Sequence, residues 1–229
     1  MIIEPEATER VAQLFREACC IEDMDGKFGK TLSVEENAVR QFILTQAPIL
    51  GRIPSLDEIK QAFTHYPPEQ QTAILAKLDQ LDVLHLSSDK TAIVAAYPFS
   101  GPETVHLVTI KSKDSKPFFA MCAVDALGIS FMFNSDVSIE SKCFHCGEKI
   151  RVDIKNNRIT ALTPENIVVW GDMEYCDCAA TSVCKNINFF SSEKHFADWQ
   201  KENPRRRGEL LQLGEALYLG KLFFENRIK

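Results

Sequence analysis

The sequence has no apolar run approaching the ~20 residues that a membrane-spanning helix needs, so nothing in it argues for a bilayer-embedded protein. Nor does it carry an excess of basic charge. Lys and Arg number 26 against 32 Asp and Glu, a formal net charge of −6. Proteins that grip phosphate backbones carry the opposite sign, so no nucleic-acid partner is expected. The one basic run, Arg205-Arg206-Arg207, lies between two helix-like segments and reads as a solvated loop. There is no Gly-rich phosphate loop, internal repeat or low-complexity tract. His65, His85, His106 and His195 are scattered without triad or metal-ligand spacing, and His145 reads as an exposed turn residue. Residues 1–16 hold Glu4, Glu6 and Glu9 and no apolar signal-peptide core, so a cytoplasmic, membrane-free location is expected.

What is present is a core-forming composition, 45% hydrophobic over 229 residues, which excludes global disorder. Eight cysteines accompany it. In a reducing compartment they read as metal or catalytic ligands before they read as disulfides.

The pattern along the chain predicts an α+β fold. Residues 1–32 form an N-terminal helix and extension, with Val11, Leu14, Phe15 and Ala18 on one face. Residues 33–101 have the order of a winged helix. Ser33 with Glu36 and Ser55 with Glu58 are capping boxes opening the first two helices, and Pro48 is expected to end the first. Pro67-Pro68 starts a third helix with the stripe Ile74, Leu75, Leu78 and Leu81. Strand-like runs at Val83–Leu86 and Ala92–Tyr97 complete a hairpin. The third helix is expected to expose Glu69, Lys77, Asp79 and Asp82, a poor surface for a major groove.

Residues 102–229 predict a mixed, mainly antiparallel β-sheet core with flanking helices. Strands are expected at 104–111, 136–141, 148–154, 158–162 and 167–170, and 186–190 is a further candidate. Asn156-Asn157 is placed as a tight turn. Ser192 caps a helix carrying Phe196 and Trp199, and a last helix is expected over 208–226.

Two segments could carry chemistry. The first is Cys122-Ala-Val-Asp125 inside the apolar run Phe118–Phe133. In a helix, i and i+3 share a face. A carboxyl buried in such company favours its neutral form and could serve as a general acid. The competing reading is a structural cysteine beside a helix-capping Asp. The second segment centres on Cys184, just before a strand-like run and a capped helix; alone it reads equally well as structural.

Together, Phe118-Phe-Ala-Met-Cys-Ala-Val-Asp125 and Cys184-Lys-Asn-Ile-Asn-Phe-Phe-Ser-Ser192 resemble the organomercurial (alkylmercury) lyase family. Ala197-Asp-Trp199 and Gly214-Glu-Ala-Leu-Tyr-Leu-Gly220 add to the likeness, which spans residues 104–225. Cys143 falls where the family tends to carry a structural cysteine. The resemblance implies protonolysis of the carbon–mercury bond of R–Hg⁺ to R–H and Hg²⁺. It implies that Cys122 and Cys184 bind mercury and that Asp125 donates the proton. It implies an organomercurial small-molecule substrate, no organic cofactor, free thiols for product removal, and hand-off of Hg²⁺ to cellular thiols or a mercuric reductase.

Some features depart from that pattern. Met121 stands where the family has a tryptophan-like neighbour, which bears on the range of R groups. Cys143-Phe-His-Cys146-Gly147 is a C-x₂-C with a following Gly, and Cys176-Asp-Cys178 lies downstream. Cys143, Cys146, Cys176 and Cys178 could form a tetrahedral zinc site or relay mercury by thiol exchange, or they could be incidental. The alternative functions are a thiol-rich, metal-sensing winged-helix protein without enzymatic activity, or a family member acting on another organometal.

Overall fold

The computed structural model describes residues 2–21, 30–173 and 182–228, with only the backbone described over 18–21. Helix α1 (Glu9–Ile21) buries Val11 and Leu14, as its amphipathic spacing predicts. Its end is fixed by charge as well: Arg10 and Thr8 both bond the carboxylate of Glu215, itself 3% exposed.

Three helices follow, α2 (Val34–Leu50), α3 (Leu56–Ala62) and α4 (Pro68–Gln80). Both expected capping boxes form, Ser33 with Glu36 and Ser55 with Glu58, because each pair satisfies two otherwise orphaned amides. Pro48 does not stop α2. The helix runs on to Leu50, and Gly51 closes it at φ 74°, a left-handed conformation that suits glycine. Strands β1 (Leu84–Leu86), β2 (Ile93–Ala96) and β3 (Phe99–Ser100) form a small antiparallel sheet. The unit is winged-helix-like, and two acidic residues expected to face solvent have structural partners. Asp79 accepts from the Leu86 amide at 2.9 Å, and Asp82 from the Tyr97 hydroxyl at 3.0 Å.

The second half is built on a five-stranded sheet in the order β5-β4-β6-β7-β8. Its strands are β4 (Leu107–Ile110), β5 (Phe118–Phe119), β6 (Val137–Lys142), β7 (Lys149–Lys155) and β8 (Arg158–Thr163). Every strand pair among the described residues is antiparallel. Alternation in β7 turns Ile150, Val152 and Ile154 inward. Asn156 and Asn157, at φ 50° and 60°, make the expected turn into β8.

A three-stranded sheet in the order β10-β9-β11 lies beside it, from β9 (Val168–Asp172), β10 (Phe189–Phe190) and β11 (Gly208–Gln212). The single helix expected over 208–226 is therefore two elements. Residues 208–212 pair along β9, and helix α7 (Leu213–Phe224) starts only where Gln212 and Glu215 form a capping box. A ladder partner decides the conformation of those five residues, and no local signal reveals it. Helix α6 (Glu193–Glu202) starts at Ser192, whose hydroxyl accepts from the His195 amide.

Helix α5 (Ala123–Phe133) is buried along nearly its whole length and crosses α7 closely. Gly128 and Gly220 allow the approach. A Cβ on Gly220 would lie 2.9 Å from the Gly128 nitrogen and 3.0 Å from the Val124 carbonyl, both backbone atoms that cannot step aside. The Gly220→Ala variant should therefore lose about 1–3 kcal/mol of stability, the usual cost of overpacking, read as a lower urea midpoint at unchanged m-value.

His106 is 2% exposed, shares a 2.9 Å hydrogen bond with Ser141 and bonds the Asn188 side chain. Burial lowers its pKa from 6.5 to about 4, the Asn188 bond opposing only in part. The folded chain thus holds the ring neutral where the unfolded chain protonates it. Stability from this site is whole above pH 6.5 and falls as pH drops toward 4, by at most roughly 3 kcal/mol. Denaturation at stepped pH should show that slope in the native chain, and His106→Gln should flatten it.

Candidate functional site

The residue before α5 is Cys122, and the structure makes it the helix's N-cap. Its backbone is extended, at φ −149° and ψ 176°, and its sulfur accepts from the Asp125 amide at 3.3 Å. The sequence suggested that Cys122 and Asp125 share a helical face. Instead the cysteine takes the place usually held by Ser, Thr, Asp or Asn, and Asp125 is the third helical residue. The physical consequence is specific. A sulfur at a helix N-terminus sits at the positive end of the helix dipole, which favours the thiolate once a cation displaces its proton.

The loop ahead of α5 is held by backbone bonds on several sides. The Ala120 amide donates to the His106 carbonyl at 2.9 Å and the Met121 amide to the Pro98 carbonyl at 3.1 Å. Thr104 donates its hydroxyl to the Ala120 carbonyl at 2.7 Å. Then the Ala123 amide donates to the Ile187 carbonyl at 3.0 Å. This last bond ties the Cys122 segment directly to the segment that carries Cys184.

Cys184 opens a 3₁₀ turn, Cys184–Asn186, which separates it from β10. The candidate strand at 186–190 is thus shorter, and the turn has its own closures. The Ile187 amide returns to the Cys184 carbonyl at 3.2 Å, and the Asn186 side chain donates to the Ser182 carbonyl at 2.8 Å.

The outcome is a three-member cluster. One ligand atom each from Cys122, Asp125 and Cys184 lies within 4.8 Å of the others, with relative exposures of 2%, 5% and 7%. Burial pushes the Cys122 thiol well above its ordinary pKa. The Cys184 side chain and the Asp125 charge add to that rise, and the Asp125 amide opposes it. The resting site is therefore a protonated thiol beside a second sulfur and a carboxyl. Two sulfurs at this separation suit one soft cation, and a carboxyl in reach of the same point can exchange a proton with whatever that cation carries.

The other cysteines divide. Cys143, at the end of β6, is 2% exposed, and Cys146 is exposed; both are free thiols. They approach one another together with His195, their ligand atoms all within 4.8 Å. His195 carries no metal-ligand spacing in the sequence. It lies 49 residues beyond Cys146, so only the docking of α6 against the β6–β7 turn brings it in. Burial disfavours the Cys143 thiolate, but hydrogen bonds from the Ser191 side chain and from the Ser191, Cys146 and His145 backbones outweigh it, and its pKa lies below the ordinary value. His145 is exposed, as expected. Cys176 and Cys178 lie outside the described residues.

No described helix is long and apolar enough to cross a membrane. Compared with known proteins, residues 99–225 match the model of the alkylmercury lyase (MerB) family. An alkylmercury lyase of Bacillus cereus is 29% identical over 163 residues, 69% of each chain. One of Staphylococcus epidermidis is 26% identical over 161 residues, 70% of each chain. In overall shape the protein is similar to a crystal structure of the mercury-bound form of MerB2, with TM-score 0.71 and 23% identity, covering 95% of this chain and all of that one. With the family model matching more than half of its length, the chain belongs to the alkylmercury lyase family.

Proposed function

We propose that Cys122, Cys184 and Asp125 together carry out protonolysis of a carbon–mercury bond, R–Hg⁺ giving R–H and Hg²⁺. The observation that carries the reading is the convergence of two buried sulfurs and one buried carboxyl, all within 4.8 Å, at a helix N-terminus. Mercury is a soft metal, and thiolates are its natural ligands.

R–Hg⁺ first replaces the proton of one thiol, and that proton leaves to solvent. Helix α5 stabilises the sulfur at Cys122 as its charge develops. The second sulfur then adds to mercury and weakens the Hg–C bond. The Asp125 carboxyl, buried beside both sulfurs, delivers a proton to the carbon as that bond breaks. The proton of the second thiol restores the carboxyl. The balance is E(SH)₂ + R–Hg⁺ → E(S)₂Hg + R–H + H⁺. No organic cofactor enters. Hg²⁺ leaves by exchange onto free thiols, from which cellular thiols or a mercuric reductase would take it.

The division of the chain at 32/33 and 101/102 belongs to the same reading, with the catalytic residues on the C-terminal part; the family match beginning at residue 99 supports the second of these boundaries. A DNA-binding metal sensor is disfavoured by the net charge of −6 and by Asp79 and Asp82 being engaged within the fold.

Phenylmercury with excess thiol should yield benzene, measured by gas chromatography. The Cys122→Ser and Cys184→Ser variants should release none. Asp125→Asn should still bind phenylmercury but turn over about 10²–10⁴-fold more slowly, the span general acids typically contribute. Wild-type turnover in Cys122→Ser would refute the mechanism.

A further inference from the structure

The cluster of Cys143, Cys146 and His195 takes no part in the reaction above, yet its geometry is that of a metal site. Tetrahedral zinc with Zn–S near 2.3 Å and Zn–N near 2.05 Å sets sulfur and nitrogen about 3.6 Å apart. His195 Nδ1 lies 3.5 Å from the Cys146 sulfur and 3.8 Å from the Cys143 sulfur. The two sulfurs are within 4.8 Å of one another, in reach of the ~3.8 Å that such bond lengths set, and Cys146 is exposed and free to adjust.

The backbone is shaped for the same purpose. Cys143-Phe-His-Cys146-Gly147 folds as a tight knuckle, with the Gly147 amide donating to the Cys143 carbonyl at 2.9 Å and the Cys143 amide to the Glu148 carbonyl at 2.8 Å. Gly147 turns the chain at φ 76°, in the left-handed region that favours glycine. The Phe144 amide donates to the Phe189 carbonyl at 3.0 Å, pinning the knuckle to β10. His195 comes from the first turn of α6, which Ser192 caps. Ser191 Oγ lies 2.7 Å from His195 Nδ1 and 4.0 Å from the Cys146 sulfur, so a hydroxyl already sits among the three ligands. A cation here would clip the β6–β7 turn to the start of α6.

We propose that Cys143, Cys146 and His195 form a second metal site, which binds one Zn²⁺ with a fourth coordination position left for water or the Ser191 hydroxyl. Two soft thiolates and an imidazole suit borderline-soft zinc, and a mixed S₂N set with an open corner satisfies its four-coordinate preference. The site is separate from the Cys122–Cys184 pair and does not depend on the lyase reading.

The test uses the full chain carrying Cys122→Ser and Cys184→Ser, so that the first pair of sulfurs cannot bind. The reduced, metal-stripped protein is titrated with Co²⁺ and then with Zn²⁺. One equivalent of Co²⁺ should bind, with thiolate-to-cobalt charge-transfer absorption and the intense d–d bands of tetrahedral coordination, and Zn²⁺ should bleach them. Adding Cys146→Ser or His195→Ala should weaken binding by more than the 10–100-fold typical of losing an outer-shell partner. Circular dichroism checks that each variant is folded; Cys146 is exposed, so its replacement should leave the core intact. Absence of the charge-transfer band in the parent would overturn the proposal. So would a band that survives His195→Ala but disappears with Cys176→Ser and Cys178→Ser, since the ligands would then be four thiolates. Loss of benzene formation in the otherwise native enzyme is not a readout here, so failure of this proposal and failure of the lyase mechanism remain distinguishable.

Discussion

A single backbone hydrogen bond, from the Ala123 amide to the Ile187 carbonyl, governs the site. Ala123 is the first residue of α5, and Ile187 closes the turn that Cys184 opens. An amide at a helix N-terminus has no partner inside its own helix and must find one outside. Here the outside acceptor belongs to the other cysteine segment. The need to satisfy one buried donor thereby sets the distance between two sulfurs that are 62 positions apart in sequence.

The same helix end explains why a cysteine can be both buried and useful. Burial raises the Cys122 pKa, so the resting thiol is neutral and poorly nucleophilic toward small electrophiles. The Asp125 amide that donates to its sulfur favours the opposite state. A soft cation that replaces the proton gains that stabilisation at once, whereas a competitor that cannot displace a proton gains little. Helix α5 is held in place by its glycine-mediated crossing with α7, so the position of the cap depends on the packing of the last helix in the chain.

Local chemistry was legible where it acts over a few residues. Ser33–Glu36, Ser55–Glu58, Asn156-Asn157 and Ser192 behave as their sequence signals predict, because each feature is closed by groups within one turn. The miss at residues 208–212 has the opposite cause. Gly-Glu-Leu-Leu-Gln has no strong preference of its own and becomes a strand because β9 offers a ladder. Pro48 misled for a related reason: α2 continues past it to the glycine cap at Gly51. His195 gives no signal in the sequence because a metal ligand set assembled from a turn and a distant helix has no spacing to read.

By itself the sequence determined the family likeness, the α+β order of elements, and the identity of the groups able to bind a soft metal and move a proton. Those are properties of residue types and short spacings, which survive without knowledge of long-range contacts. Only the tertiary structure decided that Cys122 caps a helix, that Cys184 meets it, and that His195 joins Cys143 and Cys146. Each of those depends on how separate elements dock, and docking is set by the summed packing of a core that no single segment encodes.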